Sequence, residues 1–204
     1  MIDHPIRPVT EPFQYRAIGI VRGIYKPDDK GVFTRGKLID QTGAEIEAVV
    51  LGRVITLMQR HLSINNPHLW VVYPRCKNSD HLHLQIKGVW EPSTLIKEKS
   101  QLEDQLIDEL PEGDDFFSIR GELIFTKPDE NYLIIKVRQK PRSNGIKQIP
   151  FKLFLEGNIP INLIRNFINL NVRREGQKLI VEDYDLIGPL PNRSVGKGKR
   201  IKNK

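Results

Sequence analysis

The side chains of this chain best placed to do chemistry are cations set beside flat rings. Tyr25, Lys26 and Phe33 border one predicted turn, and Tyr73, Arg75 and Lys77 border another. Arg35 and Lys37 lie two apart in a strand-like stretch and so share one face. A second series comprises Arg138, Lys140, Arg142 and Lys147 around a loop, Lys152 in a strand, and Arg173, Arg174 and Lys178 around a turn. A third, Arg193, Lys197, Lys199 and Arg200, lies in the last thirteen residues, which carry six cations and no acid. Cations hold phosphates and rings stack on bases, so this combination suits a nucleic acid, single strands above all. The polycationic tail cannot form a core and is expected to be disordered when free, meeting phosphates by counterion release.

Other chemistries find less support. Cys76, His81 and His83 invite a zinc reading, but a structural site needs four ligands at tight spacing and His68 is the sole candidate for the fourth. They read as ordinary loop and strand residues. The chain has no glycine-rich phosphate loop and no Gly-x-Ser-x-Gly. No catalytic residue, metal or cofactor is therefore expected. One cysteine permits no intramolecular disulfide and points to a reducing compartment. Met1 to Phe13 has three prolines and no apolar run, and reads as an extension rather than a leader. No segment approaches the roughly 20 apolar residues of a membrane span. A soluble, cytoplasmic protein with no membrane partner is expected.

The elements that must position these side chains follow from period and punctuation. Residues 15–25, 33–39, 45–51, 69–73 and 81–90 read as strands rich in β-branched and aromatic residues, separated by turns at 26–31, 40–43 and 75–80. Val54, Leu57, Met58 and Leu62 have helical spacing and place a short helix after the third strand. From residue 116 the order repeats: strands over 116–125, 132–138, 149–155, 170–173 and 179–187, with a short helix suggested by Ile161, Leu163, Ile164, Phe167 and Ile168. The landmarks repeat as well. Arg22-Gly23 precedes Lys26-Pro27-Asp28, and Arg120-Gly121 precedes Lys127-Pro128-Asp129. Gly23 to Gly88 spans 65 residues and Gly121 to Gly188 spans 67. A repeat near 100 residues is a duplicated domain.

Charge divides the chain in the same way. The net is +3 over 1–92, −6 over 93–115, +4 over 116–191 and +6 over 192–204. The expected organisation is therefore an extension (1–13), a first barrel (14–92), an acidic linker (93–115), a second barrel (116–191) and a basic tail (192–204). Leu102, Leu106, Ile107 and Leu110 would give the linker an amphipathic helix, able to rest on a barrel or to dock a protein partner.

Five strands with a helix between the third and fourth resemble the OB-fold, the oligonucleotide/oligosaccharide-binding barrel. The stretch Leu38-Ile-Asp-Gln-Thr-Gly-Ala-Glu-Ile-Glu-Ala-Val-Val50 is similar to the Leu-x-Asp-x-x-Gly hairpin of nucleic-acid-binding OB domains. The second unit lacks Asp-x-x-Gly and has a longer basic loop there. An SH3-like barrel is the rival fold, more so for the second unit. The resemblance implies an all-β chain of two five-stranded barrels, each with a short helix between strands 3 and 4. It also implies that ligand meets strands 2 and 3 and the loops joining strands 1–2 and 4–5. That puts Tyr25, Lys26, Phe33, Arg35, Lys37, Tyr73, Arg75 and Lys77 on the first barrel's site. Arg138, Lys140, Arg142, Lys152, Arg173, Arg174 and Lys178 fall on the second. The expected function is non-catalytic binding of RNA or single-stranded DNA, the first barrel supplying base contacts and the second, with the tail, supplying charge. A protein-interaction adaptor is the alternative.

Overall fold

The computed structural model describes residues 4–78, 81–91, 109–139, 145–146 and 148–190. The first barrel comprises β1 (Arg16–Asp29), β2 (Val32–Ile39), β3 (Glu45–Val50), α1 (Gly52–His61), β4 (His68–Cys76) and β5 (Leu82–Val89). It closes in the order β1-β2-β3-β5-β4 and back to β1, with β3 and β5 parallel. The second comprises β6 (Phe116–Lys127), β7 (Tyr132–Val137), β8 (Phe151–Glu156), β9 (Asn166–Glu175) and β10 (Lys178–Pro189), in the equivalent closed order. This is the OB connectivity in both halves. Among the described residues no helix is long and apolar enough to cross a membrane.

Several elements depart locally from the sequence reading. β1 runs through Lys26-Pro27-Asp28-Asp29, leaving only Lys30-Gly31 to turn. Pro27 has no N–H to give a ladder, and a bulge between Pro27 and Asp29 accommodates it. In the first barrel α1 inserts Val54 and Met58 into the core. The corresponding helix of the second barrel is one 3-10 turn, Ile161–Leu163. Pro160 precedes it, and Arg165 follows in the left-handed region at φ 71°, which ends the coil early. Phe167 and Ile168, which the helical spacing enlisted, belong to β9 and are buried there.

The two barrels share one sheet. β1 and β6 pair antiparallel through Arg16–Arg120, Ala17–Ile119, Ile18–Ser118 and Gly19–Phe117. This explains why β1 is buried on both faces over its first half instead of alternating. Ala17 and Val21 enter the main core, while Ile18 and Ile20 join Ile6, Leu69 and Val71 in a second cluster. Ile6 belongs to the N-terminal extension, which is thus packed down rather than loose. The duplicated glycines mark where strand 2 crosses strand 1. A Cβ on Gly23 would lie 2.5 Å from the Ile39 carbonyl oxygen, and one on Gly121 would lie 2.7 Å from that of Lys136.

Gly19 is the tightest point of the junction, because a Cβ there would come within 2.2 Å of the Phe117 ring. Gly19→Val is expected to destabilise by about 1–3 kcal/mol, the usual cost of overpacking. A Cβ on Gly52, at the start of α1, meets nothing within 4 Å. Gly52→Ala is therefore expected to stabilise by about 0.4–1 kcal/mol. Urea melts of the two variants check both signs.

Candidate nucleic-acid interface

On the second barrel, three rows of side chains cross the outer face of β6, β7 and β8. They are Glu122, Lys136 and Lys152; Phe125, Ile134 and Phe154; and Lys127, Tyr132 and Glu156. The intervening residues Leu123, Leu133, Ile135, Leu153 and Leu155 point into the core. A bulge between Leu123 and Phe125 shifts the register and turns Phe125 outward, leaving it 42% exposed. The Tyr132 ring meets Phe125 edge-on at 5.9 Å and stacks near-parallel on Phe154 at 6.3 Å. Lys136 pairs with Glu122 at 2.7 Å, and Lys127 pairs with Glu130. Lys152 is exposed and has no ion pair among the described residues. This ring ladder beside a lysine was missed in the sequence. Its signal is the alternation of β8, where Leu153 and Leu155 facing in forces Lys152 and Phe154 out.

The first barrel's equivalent face is charged on both signs. Two rows cross β2, β3, β5 and β4: Arg35, Val49, Gln85 and Tyr73; then Lys37, Glu47, His83 and Arg75. Lys37 pairs with Glu45 at 2.6 Å, while Glu47 takes His81 at 3.0 Å and Lys77 at 3.6 Å. Lys26 stands directly opposite Lys37 across β1 and β2. Arg35, Lys37 and Lys77 line a shallow groove of ≈ 450 Å³ with Asp28 and Glu47. Burial, reinforced by Lys77 and His81, holds the His83 imidazole below its ordinary value. His68 lies apart from His81 and His83, its ring nitrogens engaged by Glu91 and by the Ser63 carbonyl oxygen.

One expectation is corrected by burial. Tyr25 is 1% exposed, packs on Trp70 and donates its hydroxyl to the Phe33 carbonyl, so it is core and cannot stack on a base. Burial, with help from Asp28, pushes its hydroxyl up to about 12. Phe33 is half-buried and packs against the same core. The stacked rings of the outer strand 2–3 face therefore stand on the second barrel.

Arg173 and Arg174 also serve the architecture. The Arg174 side chain is 1% exposed and is held by Asp40 at 2.8 Å and by Asp115. Asp40 belongs to the Asp-x-x-Gly turn of the first barrel. Its other oxygen accepts from the Thr42 and Ala44 amides and the Thr42 hydroxyl, as such a turn requires. Burial alone would raise Asp40, but these hydrogen bonds and Arg174 hold it below the usual carboxylate range. Arg173 pairs with Glu182 and donates to the Glu112 and Asp114 carbonyls. Lys178 pairs with Glu156 at 2.7 Å.

Tyr73, Arg75 and Arg138 turn into a cleft between the barrels. Lys140, Arg142, Lys147, Arg193, Lys197, Lys199 and Arg200 lie outside the described residues, as does most of the acidic linker, where a helix is expected.

Comparison with known families agrees with the geometry. Residues 17–97 match the family described as the N-terminal OB-fold domain of the PatR RNA-binding protein. Residues 119–188 match that described as a cyanobacterial OB-fold-like RNA-binding domain, C-terminal. No curated protein matches the chain.

Removing Arg174 leaves two carboxylates facing each other at the junction. Arg174→Met is expected to cost about 3–5 kcal/mol, as when a buried pair loses one partner. Because the folded state depresses Asp40, its contribution is full above the unfolded value of about 3.9 and is lost as pH falls through the lower folded one. The gap between wild type and Arg174→Met in chemical denaturation should therefore narrow in acid.

Proposed function

The chain belongs to the OB-fold superfamily through both of its barrels, and from that premise we propose that it is a non-catalytic RNA-binding protein. The observation that carries this reading is the solvent-facing ladder of Phe125, Tyr132 and Phe154 with Lys152 beside it. It occupies the strand 2–3 face that OB barrels use for oligonucleotides. A soluble barrel gains nothing by exposing stacked rings to water, whereas an unpaired base covers them. Lys152 supplies a phosphate contact two residues from Phe154 on the same strand face. On the first barrel Lys26, Arg35 and Lys37 add charge. Both matching families are described as RNA-binding, which favours RNA over DNA. The tail cations Arg193, Lys197, Lys199 and Arg200 would strengthen binding without reading sequence.

Titration of the full chain into a labelled single-stranded oligoribonucleotide at low salt tests this. Phe154→Ala is expected to weaken binding by about 1–3 kcal/mol, the worth of one stacked base. Lys152→Glu should flatten the salt dependence by about 0.7 in the logarithmic slope, one phosphate contact. Binding no better than that of a size-matched neutral protein would end the reading.

A further inference from the structure

The cleft between the barrels has no counterpart on a single OB barrel, and both barrels and the N-terminal extension build it. Its volume is ≈ 1200 Å³. That exceeds the roughly 300–1,000 Å³ of small-molecule pockets, so it suits a length of polymer better than one nucleotide. Five cations line it: Arg7 and Arg16 from the extension and β1, Arg75 and Lys87 from β4 and β5, and Arg138 after β7. Glu11 is the one carboxylate among its described lining residues. Phe13, Tyr15, Tyr73, Trp90 and Phe151 supply its rings.

Four of these cations differ from Arg22, Arg173 and Arg174 of the junction in having no acid to answer them. Among the described residues, Arg7, Arg16, Arg75 and Lys87 form no ion pair, and Arg138 reaches Glu122 only at 3.4 Å. Arg16 donates to the Arg7 carbonyl and the Ser118 hydroxyl, yet its Nε is buried with no acceptor, and so is the Nε of Arg138. Burial pushes the Arg75 guanidinium value down, and does the same for Arg16 with Arg120 adding to it. A buried donor without an acceptor, or a cation without an anion, is costly to fold around. Here the cost recurs at neighbouring positions that face one opening. The cations also lie on the rings: Arg75 sits 3.9 Å over Phe151, Lys87 5.2 Å over Tyr73 and Arg138 5.9 Å over Tyr15. Alternating guanidinium planes and aromatic faces offer stacking surfaces to unpaired bases, with phosphate contacts between them.

We propose that this cleft binds a single-stranded RNA segment, threaded between the barrels as one composite site. The proposal rests on the RNA-binding reading above and adds a second surface to it. A duplex would not fit the same role, because its bases are stacked on one another and present no free faces.

The test uses the full chain and a labelled oligouridylate of about 12 nucleotides, within the roughly 4–16 that an OB fold covers. Arg7→Glu combined with Lys87→Glu changes two exposed side chains and leaves the junction intact. The double variant should lose at least about tenfold in affinity and flatten the logarithmic salt slope by about 1.4, two phosphate contacts. In the wild type, Trp90 fluorescence should be quenched on binding, since Trp70 is buried in the core. The same sequence annealed to its complement should bind at least about tenfold less well, because a duplex keeps its stacking faces covered. If the double variant binds and titrates like the wild type while Phe154→Ala loses affinity, the cleft is not the site and the proposed function stands. If the wild type binds no oligouridylate, both fail.

Discussion

Four pairs of residues between β1 and β6 fix the relation of everything else in this molecule. The ladder is antiparallel, and the duplication sets Gly19 of the first unit equivalent to Phe117 of the second. The register places these two residues opposite each other, so at this one pair of the ladder a position faces its own duplicate. The barrels are thus related about a local two-fold centred on that pair, the arrangement of an isologous dimer within one chain. An axis between two strands has no room for two large side chains. One copy carries the ring, and the other carries a glycine beneath it. The landmark arginines obey the same symmetry. Arg22 reaches Asp114, just before β6, and Arg120 donates to the Pro12 and Gln14 carbonyls, just before β1.

This junction sorts the cations into two populations. Arg22, Arg120, Arg173 and Arg174 are engaged by carboxylates or carbonyls and hold segments together. Arg174 is the clearest case, because it ties the β9–β10 hairpin to Asp40 of the first barrel's turn. Arg7, Arg16, Arg75 and Lys87 face the cleft and Lys152 the outer sheet, and none of the five forms an ion pair among the described residues. A guanidinium with its hydrogen bonds satisfied is structure, and one held without an acid is a standing demand for an anion. By that criterion the cleft and Lys152, rather than the arginines around the β9–β10 turn, are where the proposed binding is expected.

The fold was largely legible in the sequence. Strand periodicity, the repeated Arg-Gly and Lys-Pro-Asp landmarks and the near-equal glycine spacings gave two barrels with the observed strand order. Boundaries erred where tertiary structure overrode local preference: Pro27 entered a strand at a bulge, and Phe167 and Ile168 joined β9 instead of a helix. The site was less legible. Lys26, Arg35, Lys37 and Lys152 lie on outer strand faces as their alternation required, and Tyr73 and Arg75 are accessible. Tyr25 and Arg174 are buried. Nothing in their local sequence distinguishes them from exposed residues, because their burial comes from partners 45 and 134 residues away, Trp70 and Asp40.

What the sequence determined by itself was therefore local and periodic: the strands, the turns, the duplication and the polarity of each segment. Those follow from backbone preference and side-chain alternation within a few residues. Which cations are free, which rings face water and that a cleft exists at all were decided only by the tertiary structure. They depend on the register of β1 against β6, which sets β4 beside β8 and brings Arg75 over Phe151. That register is a contact between residues about a hundred positions apart, and the sequence encodes it in no motif beyond a glycine that makes room for a ring.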